Sequence, residues 1–343
     1  MRTSLRSSLA LLVATGPLMA EPNPTRPGGS PFAFEENDRV ALVGNTVIER
    51  AQRFGHVETM LNLSAGARVG GVTFRNLGWS GDSVFGDARS YFGTPKEGRA
   101  RLQRVVGEAK PTVLLVCYGT NAAMTASKGW TNDSSGAVRS KGGDEVSLAL
   151  FLETYGQLLD LMKEGAGESL REVVLLSPPP LENLGKPWPD QTANNRRLAI
   201  YRDAIRGLAK ERGHRFLDLY EAMGGNNLKP GQQSKEPLTK NGLHYEEAGY
   251  LVMAKALVEG LGLKLPSQLT ARHDLVAEVR NSVMEKNRLF FHRWRPANET
   301  YLFLFRKHEQ GNNAKEIPMF DPLIKAEEKK ISQRRAAVFS NLK

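Results

Sequence analysis

The chain of 343 residues carries a formal net charge of +10, with 40% hydrophobic and 24% charged residues. This composition is typical of a globular protein and excludes a fibrous or an intrinsically disordered chain. The basic balance by itself indicates only non-specific attraction to anions, and no nucleic-acid-binding motif accompanies it. We therefore expect no nucleic-acid ligand. The length allows one large domain, or one domain with an appendage.

The first twenty residues resemble a secretory signal peptide that is cut after Ala20. Two arginines precede an apolar run at 9–13, and small residues follow that run. This order predicts export to the periplasm or the extracellular medium, and a frayed N-terminal helix is the alternative. The run is too short to span a bilayer and no other stretch approaches that length, so we expect no membrane span. Residues 21–37 are rich in Pro, Gly and Asn and are expected to form a linker.

The single cysteine, Cys117, lies inside the apolar run 112–118. One cysteine excludes a disulfide within the chain and a cysteine-based metal site. We therefore predict that Cys117 is a core residue. No sequence feature implies a metal or an organic cofactor.

Strand-like and helix-like segments alternate along the first three quarters of the chain. Apolar runs that predict strands lie at 39–44, 72–77, 112–118, 172–177 and 215–219. Apolar residues recur at helical spacing at 47–63, 148–162, 194–212 and 246–261. This alternation predicts a three-layer α/β/α sandwich around a five-stranded parallel sheet, with functional loops at the carboxyl ends of the strands. We assign this domain to 38–265.

The residue composition of the chain changes from about residue 267 onward. A helix-like segment at 275–288 precedes the aromatic-rich segment 289–306 and a charged end. Its bulky side chains must bury against something, most simply the sandwich. We therefore expect 266–343 to form a helical and aromatic C-terminal extension that packs on the core.

Four polar, turn-prone blocks follow the predicted strands or precede the last helix of the sandwich. They are Gly44-Asn45-Thr46, Gly78-Trp79-Ser80-Gly81-Asp82, Gly119-Thr120-Asn121 and Asn241-Gly242-Leu243-His244. In a doubly wound sheet such positions meet at one edge, so we expect the blocks to converge.

The residues in these blocks match the requirements of acyl transfer, which needs a hydroxyl nucleophile, a base and donors aimed at the developing oxyanion. Thr46 offers the hydroxyl and His244 the base. The backbone N–H groups of Thr46 and Gly81 and the side-chain amide of Asn121 are candidate oxyanion donors.

The four blocks resemble those of the GDSL/SGNH hydrolase family, a group of esterases and lipases with a flavodoxin-like sandwich. The match runs in the right order over roughly residues 38–262. The resemblance implies that Thr46 takes the nucleophile position, Gly81 and Asn121 the oxyanion hole, and His244 the general base. It further implies a substrate that is an acyl ester, most simply an acetyl ester of a carbohydrate, either small or polymeric.

Two departures from the family pattern bear on activity. Thr46 replaces the family's Ser, and its γ-methyl group restricts χ1 and crowds the approach to a carbonyl. Asn241 replaces the family's Asp three residues before the His, and an amide lacks the negative charge that stabilises an imidazolium. A catalytically silent carbohydrate-binding protein of the same fold is therefore the alternative function.

Structural roles for the same residues stay open at this point. Thr46 is also a suitable N-cap for the following helix, Asn121 a suitable turn residue, and His244 a possible packing residue. We expect Asp82 to hold its turn. Its neighbours Ser80 and Ser83 are alternative nucleophiles.

The missing triad acid suggests one hypothesis for the extension. Residues 290–321 would fold over the site, and one of the carboxylates Glu299, Glu309 or Asp321 would replace the acid. The alternative is that this segment only packs on the sandwich.

Overall fold

The computed structural model describes residues 31–125, 144–228 and 233–340. The predicted signal peptide lies outside these residues. Within the described part of the chain, no helix combines the length and the apolar character needed to cross a membrane.

Five parallel strands form one sheet at the centre of the molecule. They are β1 (Arg39–Gly44), β2 (Thr73–Asn76), β3 (Val113–Cys117), β4 (Glu172–Leu176) and β5 (Arg215–Leu217). Their order in the sheet is β2-β1-β3-β4-β5, and every neighbouring pair is parallel. This is the flavodoxin-like order, with connections wound in both directions from the first strand. The predicted α/β sandwich with a five-stranded parallel sheet is confirmed.

Helices cover both faces of the sheet. They are α1 (Thr46–Phe54), α2 (His56–Ser64), α3 (Pro95–Ala109), α4 (Thr120–Thr125), α5 (Asp144–Ala166), α6 (Thr192–Glu211), α7 (Leu219–Ala222) and α8 (Glu247–Gly260). Alternate residues of β3 enter two separate cores: Leu114 packs with α3, α5 and α6, whereas Leu115 packs with α1, α2 and α8. Cys117 is buried in the second core, as predicted.

The segment 47–63, predicted as one helix, forms two. Gly55 separates α1 from α2 and adopts a left-handed conformation with φ of 68°. A Cβ at this position would lie 2.9 Å from Cγ of Met284, so the turn also allows a later helix to approach closely. The apolar spacing continued through the turn and concealed the break.

Part of the predicted linker belongs to the folded body. Phe32 and Phe34 are buried beside β1, and the ring of Phe34 meets that of Phe74 edge-on at 6.1 Å. These two aromatic side chains extend the second core before the first strand begins.

The C-terminal extension is helical. It comprises α9 (His273–Trp294), α10 (Glu299–Leu302), α11 (Lys307–Gln310) and α12 (Phe320–Phe339). Residues of α9 and α12 form a third core with Leu63 of α2. The fully buried ammonium of Lys286 donates to Glu58 Oε2 at 2.7 Å and to the backbone oxygen of Phe74, on edge strand β2, at 3.0 Å. The extension therefore packs on the sandwich and covers the edge of its sheet.

Candidate active site

A narrow pocket opens where β1 and β3 end. It has a volume of about 30 Å³, and Thr46, Asn121 and His244 are among the residues that line it. Gly81 does not line the pocket but contacts Thr46 through its backbone N–H. The structure thus brings together all four residues that the sequence blocks placed at this edge.

Thr46 is the first residue of α1 and does not cap it. The side chain of Asn45 accepts a hydrogen bond from Val47 N at 3.2 Å, so Asn45 is the N-cap. The alternative role of Thr46 as the N-cap of this helix is therefore wrong. Its Oγ1 instead accepts the N–H of Gly81 at 3.0 Å, which leaves the hydroxyl hydrogen available to a base.

Gly81 follows β2 in the loop 78–82 and has a φ of 79°. A Cβ built there would have Ala88 Cβ as its nearest neighbour at 3.9 Å, so space does not require glycine. The left-handed backbone does require it, because L side chains rarely adopt this conformation. That conformation directs the N–H of Gly81 at Thr46.

Asn121 lies in the first turn of α4 and holds the same loop. Its Nδ2 donates to the backbone oxygen of Gly81 at 2.9 Å and to that of Asp82 at 3.0 Å. Both amide hydrogens are thereby engaged. Asn121 therefore stabilises the loop that carries the Gly81 donor, and in this arrangement its amide has no hydrogen left for an oxyanion, contrary to its expected role as a donor.

A buried ion pair lies beneath this loop. Arg89 Nε donates to Asp82 Oδ2 at 2.5 Å, and the phenol of Tyr118 donates to the same oxygen at 2.7 Å. Burial raises the pKa of Tyr118 well above its usual value, so the phenol stays protonated and acts as a donor. Asp82 therefore holds its turn, as expected.

Asn241 determines which ring nitrogen of His244 carries the proton. Oδ1 of Asn241 accepts the backbone N–H groups of Leu243 at 3.2 Å and of His244 at 2.9 Å. These two donors fix the amide orientation, which leaves Nδ2 facing the imidazole Nδ1 at 3.1 Å. Because Nδ2 is a donor, Nδ1 is the acceptor and the neutral ring carries its proton on Nε2.

His244 lies in a positively charged setting. Partial burial lowers its pKa, and the nearby guanidinium of Arg50 lowers it further, whereas Glu246 acts in the opposite direction. Arg50 lines the pocket and pairs with Glu246 at 2.8 Å. The imidazole is therefore neutral at pH 7.

The model of the GDSL-like Lipase/Acylhydrolase family matches residues 28–252. The chain belongs to this family. Membership places it, at the level of the family, among enzymes that hydrolyse carboxylic acyl esters. No curated protein sequence matches the chain.

Three solved structures illustrate the similarity. A gut microbial diltiazem-metabolizing enzyme is 19% identical with a TM-score of 0.49, over 67% of this chain, which spans only 48% of that protein. The acetylxylan esterase Axe2 of Geobacillus stearothermophilus is 17% identical with a TM-score of 0.48, over 69% of this chain and 100% of Axe2. An alpha/beta hydrolase from the metagenome of Lake Arreo, Spain, is 19% identical with a TM-score of 0.43, over 67% of this chain and 97% of that one.

The extension supplies no replacement for the family's triad acid. Glu299 binds Tyr91 and Arg101, Glu309 binds Arg306, and Asp321 binds Arg293. The side chain beside His244 Nδ1 is that of Asn241. The hypothesis of an acid from 290–321 is therefore wrong, and these carboxylates serve packing within the molecule.

The two serines beside Asp82 have hydroxyls committed elsewhere. Ser80 Oγ donates to Glu49 Oε1 at 2.7 Å, and Ser83 Oγ donates to Asp87 Oδ1 at 2.6 Å. Both hydroxyls are therefore hydrogen-bonded to carboxylates, and the candidate base His244 is not their partner.

Two residues of α1 near Thr46 were missed from the sequence. Glu49 and Arg50 follow Thr46 by three and four positions, the spacing that places side chains on one helix face. That spacing was a usable signal. When the nucleophile position is the first residue of a helix, polar residues three and four positions later lie on the same helix face and so close to the site.

Proposed function

We propose that the chain is an exported esterase that removes small acyl groups, such as acetyl, from carbohydrates with Thr46 as nucleophile and His244 as base. The observation that carries this proposal is the position of the Thr46 hydroxyl, which shares one pocket with His244 and contacts the N–H of Gly81. Acetylated carbohydrate is the substrate class that the resemblance of the four blocks implies.

The reaction begins with attack of Thr46 Oγ1 on the ester carbonyl while Nε2 of His244, in the tautomer that carries its proton on Nδ1, takes the hydroxyl proton. The attacking oxygen becomes an ester oxygen and a weaker acceptor, which releases the N–H of Gly81 to the carbonyl oxygen that turns anionic. Collapse of the tetrahedral intermediate expels the sugar alcohol, which takes the proton from His244. Water then repeats the sequence and frees the acid and Thr46.

The pocket volume favours a short acyl group. A volume of about 30 Å³ holds about two water molecules, which is comparable to the methyl and carbonyl of an acetyl group.

The tautomer of His244 favours a second candidate, a catalytically silent carbohydrate-binding protein. With Asn241 donating to Nδ1, Nε2 presents a proton and lacks the lone pair that a general base uses. Exchange to the active tautomer requires the Asn241 amide to turn and to give up two backbone hydrogen bonds. Each hydrogen bond is worth about 1 kcal/mol. If the exchange occurs, this energetic cost slows catalysis. If the exchange does not occur, the pocket can only bind its ligand.

One comparison separates the two candidates. The purified chain and its Thr46→Ala variant are assayed on p-nitrophenyl acetate and on acetylated xylan, and binding of xylo-oligosaccharides is measured by calorimetry. Hydrolysis by the parent that is lost in Thr46→Ala supports the esterase. Equal hydrolysis by both rules out Thr46 as nucleophile, and binding without hydrolysis favours the silent protein.

Export rests on the signal-like order of the first twenty residues. Expression of the full chain in a bacterial host, followed by fractionation and N-terminal sequencing, tests it. A mature protein that begins at Glu21 outside the cytoplasm supports export. An uncut chain that stays in the cytoplasm contradicts it.

A further inference from the structure

Arg295, which follows the last residue of α9, reaches from the extension to the loop that carries Gly81. Its guanidinium pairs with the carboxylate of Glu49 and lies over the ring of Trp79, 3.7 Å from the ring centroid. The side chain of Glu49 is only 7% exposed. A carboxylate this deeply buried needs a cation or several donors, and Arg295 is its cation.

The carboxylate of Glu49 that pairs with Arg295 also binds Ser80. Its Oε2 accepts the backbone N–H of Ser80 at 2.7 Å and its Oε1 accepts the hydroxyl of Ser80 at 2.7 Å. Two hydrogen bonds from one residue to one carboxylate fix both the backbone and the side chain of Ser80. The next residue is Gly81, whose N–H points at Thr46 Oγ1.

The loop 78–82 and α1 are in such close contact that a small shift of Glu49 also moves the loop. A Cβ at Gly78 would lie 2.3 Å from Glu49 N, so no layer of side chains separates the two backbones. Trp79 is clamped between the Arg295 guanidinium and the ring of Trp294, which meets it edge-on at 5.7 Å. The extension therefore contacts two consecutive residues of the loop, Trp79 directly and Ser80 through Glu49.

We propose that Arg295 is a positioning residue of the active site, acting through Glu49 and Ser80 to aim the Gly81 N–H at the reacting oxygen. The extension is then part of the functional unit, and it contributes a cation near the site and not the replacement acid of the earlier hypothesis. This inference rests on the proposed function of the Thr46 pocket. A misplaced oxyanion donor weakens transition-state binding and leaves substrate binding nearly unchanged, so the effect belongs in kcat.

The chain offers a matched control two residues away. Arg293, in the last turn of α9, is also an arginine in an ion pair, with Asp321 at 2.9 Å, but that pair joins two parts of the extension. The experiment compares Arg295→Met, Arg295→Lys and Arg293→Met in the full chain. It measures kcat and KM on p-nitrophenyl acetate, thermal unfolding, and deuterium uptake of the backbone amides at 78–84.

We expect Arg295→Met to lower kcat roughly ten- to hundredfold with KM within twofold, and to speed amide exchange at 78–84. Arg295→Lys keeps the charge and is expected to recover part of both losses, whereas Arg293→Met changes neither. Unchanged exchange at 78–84 in Arg295→Met, or equal effects of the two Met variants, overturns the proposal. If the parent chain hydrolyses no ester, the proposed function fails, and the exchange measurement alone still decides whether Arg295 positions the loop.

Discussion

The amide of Asn241 donates to Nδ1 of His244 across 3.1 Å, in the place where an acid of the family would accept a hydrogen bond from the Nδ1–H group. The difference between the two residues is one atom. A carboxylate has two acceptor oxygens, so one can hold the backbone N–H groups of Leu243 and His244 while the other holds Nδ1–H. The amide has a single oxygen, and the two backbone groups occupy it.

We expect Asn241→Asp to raise kcat for p-nitrophenyl acetate roughly 10²-fold. The reverse change in a Ser-His-Asp protease costs about 10⁴ in kcat through the wrong tautomer, and the retained Thr nucleophile limits the gain here. Nitrogen NMR of the imidazole is expected to show the proton on Nε2 in the parent and on Nδ1 in the variant. Asn241→Ala, which provides no acceptor for Nδ1–H, serves as the control. A variant that switches tautomer without a gain in kcat would show that His244 is not the base.

Thr46→Ser is expected to raise kcat about tenfold, because it removes the γ-methyl group that restricts χ1 and crowds the attack. Combined with Asn241→Asp, the gain should exceed the product of the two single gains, since nucleophile and base act as one unit. Steady-state kinetics of the two single variants and the double variant provide the measurement. Strict multiplicativity would argue that the two residues act independently.

Gly81→Ala tests the left-handed turn, and Gly167→Ala is its matched control. Both glycines have positive φ, 79° and 67°, and neither would bring a Cβ within 3.4 Å of another group. The backbone cost should therefore be similar, about 1–2 kcal/mol in the free energy of unfolding. Only Gly81→Ala should lower kcat, because only Gly81 donates its N–H to Thr46 Oγ1. An equal loss of activity in both variants would mean that general destabilisation is the cause.

The fold could be predicted from the sequence because each strand is a continuous apolar run, as buried parallel strands require. Among the helices that were not predicted individually, α3 and α12 had signals in the sequence. Thr94 and Glu97 form a capping box at the start of α3, with Pro95 in its first turn. Buried residues of α12 recur every seven positions, at Ile324, Ile331 and Val338.

Only those features of the site that follow from the sheet topology could be predicted from the sequence. Thr46, Asn121 and His244 meet because the carboxyl ends of parallel strands share one edge of the sheet. The orientation of the Asn241 amide depends on which backbone groups its oxygen accepts, and the pair of Arg295 with Glu49 joins residues 246 positions apart. Neither feature is encoded in the local spacing of residues, because both depend on contacts in the three-dimensional structure.

The charges around His244 predict opposite shifts of its titration from two substitutions. The pKa of His244 lies below 6.5 because burial and Arg50 disfavour the imidazolium, while Glu246 favours it. A base acts only when neutral, so the acidic limb of the kcat/KM profile should lie below pH 6.5. Arg50→Gln should move this limb to higher pH, and Glu246→Gln should move it to lower pH. Proton NMR titration of His244 in each variant checks the shift independently of turnover, and shifts of the same sign would contradict this assignment.

The buried pair of Lys286 and Glu58 predicts how firmly the extension is attached. Both side chains are at most 5% exposed and lie 2.7 Å apart, so removal of one leaves the other charged and buried. We expect Lys286→Met to lower the free energy of unfolding by about 3–5 kcal/mol, and the double variant with Glu58→Leu to recover most of that loss. Arg288→Met, which breaks an exposed pair with Glu285 on the same helix, should cost less than about 1 kcal/mol. Urea denaturation of the four chains provides the measurement. A double variant as unstable as Lys286→Met would show that the ammonium stabilises the structure through its contacts with Phe74 O and Asn287 Oδ1 and not through its charge pair.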